Sequence, residues 1–119
     1  MKDEFKSEYI NFENGKEIKI EIRSDETKII RDKKDKDGKY AVYEFNVIEK
    51  DTGKSGKISL FKRDVTKMYQ LVDDSTGRDN TSLIGFCFSF KRTITEVDGK
   101  TNYDLSISLV KPSVDGVVA

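Results

Sequence analysis

Histidine is missing altogether from this 119-residue sequence, and cysteine occurs once, at Cys87. Histidine supplies most general acid–base groups and, together with cysteine, most zinc sites. Histidine-based triads, zincin motifs and zinc ribbons are therefore excluded, and neither a metal nor a cofactor is expected. Aspartates and glutamates are plentiful, but they sit in charge-mixed segments and read as a solvated face. The inventory points away from an enzyme and towards a binding module. A lone cysteine cannot form an internal disulfide, which suits a reducing cytoplasm. By alternation Cys87 faces outward, and with no second thiol beside it, it reads as a small structural residue.

Charge of one sign is not in excess either, with 22 basic against 22 acidic residues. A strongly basic chain, with pI above about 9, would announce a nucleic-acid partner. A balanced one lowers that expectation without excluding it, because a basic face can be offset by acids elsewhere. No run approaches the roughly 18–20 apolar residues of a membrane span. The leading MKDEFKSEYINFENG mixes acids with bases and has no apolar run, so neither a signal nor a transit peptide is expected. With 35% apolar and 37% charged residues, one domain with an economical core is the expectation.

What is present is alternation. Ile18, Ile20 and Ile22 alternate with Lys19, Glu21 and Arg23, marking a first strand with one buried face. A short extended piece, Thr27–Ile30, leads into RDKKDKDGK (31–39), an exposed loop without apolar residues. Residues 40–48 form a second strand with Tyr43, Phe45 and Val47 inward, and a third spans 57–61 with Ile58 and Leu60 inward. The glycine-bearing DTGKSG between them is a hairpin turn. From Lys62 to Asp74 the period changes: Val65, Met68, Tyr69 and Val72 fall on one helical stripe. Ile84, Phe86, Phe88 and Phe90 give a fourth strand, residues 96–100 a turn, and Tyr103, Leu105, Ile107 and Leu109 a fifth strand ended by Pro112.

One helix between strands 3 and 4 of five is the element order of the OB-fold, a Greek-key β-barrel. The expected architecture is therefore mainly β, with an OB domain over residues 1–111 and a short tail over 112–119. The segments INFENGKEIKIEI, GKYAVYEFNVIEKDTGKSGKISLFKRDVTKMYQLV and SLIGFCFSFKRTITEVDGKTNYDLSISLV carry a further likeness. From Ile10 to Val110 the chain resembles the compact single-domain OB-fold single-stranded DNA-binding proteins of archaea, phages and bacteria. The shared pattern is a glycine-opened first strand, an aromatic second strand, a D-x-G turn, a short helix and a basic-ended fourth strand. The long glycine-rich linker and acidic, Phe-ending tail of the bacterial tetrameric proteins are not part of it, so recruitment of partners through such a tail is not implied.

OB barrels bind across strands 2 and 3, between the 1–2 and 4–5 loops, using basic groups for phosphates and aromatic platforms for bases. Alternation turns Tyr40, Val42, Glu44 and Asn46 outward on the second strand, and Lys57, Ser59 and Phe61 on the third. Tyr40 and Phe61 are thus aromatics where solvent is expected. The competing reading of Phe61 is a satellite core contact under the helix start, and that of Tyr40 is loop-end packing. Lys33, Lys34, Lys36 and Lys39 lie on the first long loop, where Asp32, Asp35 and Asp37 offset them locally. Lys57, Lys62 and Arg63 flank Phe61; Lys91 and Arg92 end the fourth strand, with Lys100 and Tyr103 across the 4–5 turn.

The expected function is sequence-tolerant binding of single-stranded DNA in replication, recombination or repair, in the cytoplasm and without a membrane partner. The alternatives are a protein-interaction OB module within a larger replication or virion assembly, favoured by the balanced charge, and RNA binding by the same face. Oligomeric state is not legible.

Overall fold

The computed structural model describes residues 9–33 and 37–110. Six strands and one helix follow in the order β1 (Glu17–Ile22), β2 (Thr27–Asp32), β3 (Lys39–Glu49), β4 (Ser55–Leu60), α1 (Lys62–Thr76), β5 (Cys87–Val97) and β6 (Lys100–Val110). They form one open antiparallel sheet in the order β2-β3-β1-β5-β6, with β4 paired to β3. The strand count is thus six rather than five, and the helix lies between the fourth and fifth strands rather than the third and fourth.

The extra strand is the piece around Thr27–Ile30. Its Ile29 and Ile30 are adjacent rather than alternating, because β2 is an edge strand with only one residue, Ile29, even half buried. β1 and β2 use successive stretches of the same strand: Ile20–Ile22 pair with Val47–Glu49, and Thr27–Asp32 pair with Lys39–Glu44. Between them the ladder is interrupted where the Ser24 hydroxyl, rather than a backbone carbonyl, accepts the Asn46 N–H at 2.8 Å.

The core forms as the alternation dictates. Ile18, Ile20 and Ile22 meet Phe45, Val47, Ile58, Leu60, Phe88, Phe90 and Ile107 in one cluster. Against them α1 lays Val65, Met68 and Val72. The helix packs on both β3 and β6, which flank β1 and β5 in the sheet, so the inner face is concave towards it. Tyr69 anchors α1 further by donating its hydroxyl to Glu26 at 2.8 Å, in the link between β1 and β2. Burial, and then this carboxylate, push the Tyr69 phenol well above its usual range. Gly77 ends the helix in the left-handed conformation at φ 72°, its N–H donated to the Asp73 carbonyl.

β5 begins later than its alternation suggests. Leu83 to Phe86 form a turn, with the Phe86 N–H on the Leu83 carbonyl, and Ile84 is exposed rather than inward. At its other end β5 runs on with β6 as an arm that outlasts the core. Every residue from Thr93 to Asp104 is exposed. The arm turns at Asp98-Gly99, both with positive φ (53° and 76°), as a two-residue turn of right-handed twist requires. The proposed tail at 112–119 lies outside the described residues, and among the described ones no helix is long and apolar enough to cross a membrane.

Candidate functional site

The outer face of β2, β3 and β4 is not bare. A strap, Tyr9–Gly15, meets it through Tyr9, lies beside β4 and reaches β5 before β1 begins. The Ile10 N–H is donated to the Lys57 carbonyl on β4 at 2.9 Å, and the Gly15 N–H to the Arg92 carbonyl on β5 at 2.8 Å. Asn14 Oδ1 accepts the Ile94 N–H at 2.9 Å. Phe12 packs on Phe90 with ring centroids 5.3 Å apart, and the Arg92 guanidinium lies over the Phe12 ring at 5.7 Å. The strap therefore ties β4 to β5, two strands that do not pair with each other.

Between strap and sheet lies a hollow of about 480 Å³, lined by Tyr9, Phe12, Arg31, Tyr40, Phe61 and Arg92 among others. A smaller one of about 110 Å³ adjoins it, lined by Arg63, Tyr103, Asp104 and Leu105. Ser59, Leu60, Phe61 and Arg92 belong to both, so the two make one groove with Phe61 and Arg92 at its waist.

Of the residues singled out in the sequence, Tyr40, Phe61, Arg63, Arg92 and Tyr103 come together here. Phe61 is 54% exposed and Tyr103 62%, so neither is a core residue. The rings of Tyr40 and Phe61 sit 6.2 Å apart at a 47° tilt. That geometry leaves no slot between them and offers their open faces as a platform. Phe61 is also the N-cap of α1, with extended backbone and no side-chain bond to the helix. Serine, threonine, aspartate or asparagine normally fills that position, because an oxygen there satisfies a free N–H of the first turn.

The remaining candidates lie elsewhere. Register puts Lys91 on the face of β5 opposite Phe90 and Arg92, and Lys100 at the arm's tip on the face opposite Tyr103. Lys57 faces outward beside Asn46 but does not line either hollow. Lys62 is exposed in the first helical turn, and Lys33 lies past the end of β2, its N–H on the Gly38 carbonyl. Lys34 and Lys36 lie outside the described residues. Tyr103 does share the inner face with Leu105, Ile107 and Leu109, as its alternation suggests, but on the arm that face has no core beneath it.

Val42 and Glu44, expected to be solvent-facing, are buried, Glu44 to 8% exposure. Their outward direction is as alternation predicts; the strap supplies the cover. Tyr9 donates its hydroxyl to Glu44 Oε2, and Arg31 reaches the same oxygen at 3.3 Å. The bond to Glu44, and then burial, raise the Tyr9 phenol. Tyr9, Phe12 and Arg31 were thus missing from the sequence reading. The strap has no period of its own, and Arg31 sits in a segment that reads as a charged loop. At the helix start, burial raises the Asp64 carboxyl, opposed by Arg63, whose Nε is 3.8 Å away, and by Lys67.

Among the described residues no cluster of acids and cysteine is arranged to hold a metal ion. The groove's wall carries aromatic faces and guanidinium groups, with the carboxylates of Asp64 and Asp104 at the smaller hollow. No known protein family, curated protein or solved structure matches this chain.

Proposed function

We propose that the chain is an OB-type module that binds single-stranded DNA without marked sequence preference, along the groove between the strap, the outer face of β3 and β4, and the inner face of the β5–β6 arm. The observation that carries this function is the exposed Tyr40–Phe61 pair flanked by Arg31 and Arg92. Stacking platforms beside cations are what a single strand needs, since every base has a π-face and every nucleotide a phosphate. A Phe at a helix N-cap is a local cost to folding, and such costs gather at functional positions.

The sheet order supports the OB reading when β1 and β2 are taken as one bent strand interrupted at residues 23–26. Five strands then remain, the helix follows the third, and the groove runs from strands 2 and 3 to the β5–β6 arm, the side on which OB domains bind oligonucleotides. Among the described residues the cations lining the groove are Arg31, Arg63 and Arg92, and they outnumber the carboxylates there, Asp64 and Asp104.

Fluorescence anisotropy with labelled oligo-dT of about 20–30 nucleotides, longer than one site, tests this. Single-stranded DNA is expected to bind at low salt and its duplex far more weakly, since a duplex buries its base faces. Equal binding of both would refute a stacking groove. A matched RNA oligomer in the same titration measures how far the site distinguishes the two polymers.

A further inference from the structure

Arg31 and Tyr40 are cross-strand partners, and Tyr40 touches Phe61, so a guanidinium and two rings stand in a row across β2, β3 and the end of β4. The Arg31 side chain is 44% exposed, yet its head is tethered from within. Glu44, whose own side chain is only 10% exposed, accepts one of its N–H groups through Oε2, and Tyr9 bonds the same oxygen. A guanidinium carries five N–H donors in a planar fork. Held on one side by a buried carboxylate, it presents the remaining donors in a fixed plane. Such a fork suits two parallel hydrogen bonds to a phosphate, whereas an ammonium acts as a point charge.

We infer that Arg31 is a phosphate-binding residue of the groove, aligned with the platform on which a base stacks, and that Glu44 is its positioning residue. The inference rests on the nucleic-acid reading above. Of the other two arginines lining the groove, Arg92 lies over the Phe12 ring, while Arg63 is largely exposed with its Nε 3.8 Å from Asp64. The contacts of Arg31 and Arg92 favour directed binding over a diffuse basic patch.

The test is a salt-dependent anisotropy titration of oligo-dT with the parent protein and with Arg31→Ala, Arg31→Lys, Glu44→Gln and the double variant Arg31→Ala/Glu44→Gln. Thermal unfolding checks that each is folded; Arg31 is exposed, so its variants keep the core intact. Loss of one phosphate contact flattens the slope of log affinity against log salt by about 0.7 for a single strand. Arg31→Ala is expected to show that flattening together with weaker binding. Arg31→Lys is expected to keep the slope but bind several-fold more weakly, because the charge survives and the fork does not. Glu44→Gln is expected to weaken binding in the parent and to change nothing once Arg31 is absent.

An unchanged slope in Arg31→Ala overturns the phosphate contact. Tighter binding by Glu44→Gln overturns the positioning role, since it means that Glu44 competes with the phosphate. If the parent protein binds no oligonucleotide, the nucleic-acid reading fails and this inference with it. If the parent binds, loses affinity on Phe61→Ala and ignores Arg31→Ala, only the inference fails.

Discussion

Tyr40 and Phe61 present a tilted ring pair, 6.2 Å between centroids, at the junction of β3 with the start of α1. Phe61 serves this pair while occupying a position where a small polar residue would better serve the helix. Phe61→Ser is therefore expected to separate the two roles. A serine cap contributes about 1 kcal/mol, offsetting the loss of a ring contact worth about 0.5–1.5 kcal/mol. Stability by urea unfolding should fall by no more than about 1 kcal/mol, while oligo-dT binding weakens markedly. A large loss of stability would mean that Phe61 is a packing residue.

The chain has five tyrosines and no tryptophan, so its intrinsic emission is tyrosine emission. Tyr40 and Tyr103 line the groove. Addition of oligo-dT is expected to quench part of the emission near 305 nm, about the usual tyrosine maximum, as bases stack on these rings. Tyr40→Phe keeps a platform and should keep affinity, but lose part of the quench. Undiminished quenching in that variant would place the bases elsewhere.

Phe88 is fully buried among the β-strand isoleucines. Phe88→Ala is expected to cost about 3–5 kcal/mol through lost transfer energy and the cavity left behind. Chemical denaturation reads this directly, and a cost below about 1 kcal/mol would contradict the core assignment.

Hydrogen bonds from Arg23, at 2.7 Å, and from Lys50, at 3.1 Å, hold the Glu21 carboxyl below its ordinary value of 4.5. A depressed folded-state pKa stabilises the fold at pH above the unfolded value and is lost as pH falls through the folded one. Melting temperature should therefore drop below about pH 4.5 by more in the parent than in Glu21→Gln. Equal acid sensitivity would mean that the Glu21 contacts contribute nothing in solution.

Much of the inner architecture was legible because burial leaves a period. Ile18/Ile20/Ile22, Phe45/Val47, Ile58/Leu60, Phe88/Phe90 and the Val65–Met68–Val72 stripe are core as their spacing implies. Legibility failed where burial is one-sided or supplied from afar. β2, on a sheet edge, has no alternation to read, and Ile84 fits a strand period yet lies in a turn. Glu44 and Val42 point outward and are covered all the same, because the strap arrives from a segment with no pattern linking it to β3. In the candidate site, Phe61 stood out because an apolar ring occupied an outward position. Arg31 did not, since a charged residue at a strand end looks like any solvated one. Lys91 and Arg92 are neighbours in sequence and on opposite faces of β5, as the two-residue period of a strand requires, so only Arg92 shares the face of Phe90.

The central claim is that a single strand lies in the groove by stacking on Phe61. The most direct test is an oligo-dT anisotropy titration of the parent protein and Phe61→Ala across a range of salt. The parent should bind with affinity falling steeply as salt rises, and Phe61→Ala should be weaker at every salt by about one stacking interaction, ~1–3 kcal/mol, with the slope unchanged. No binding at low salt, or equal affinity of the two proteins, would contradict it.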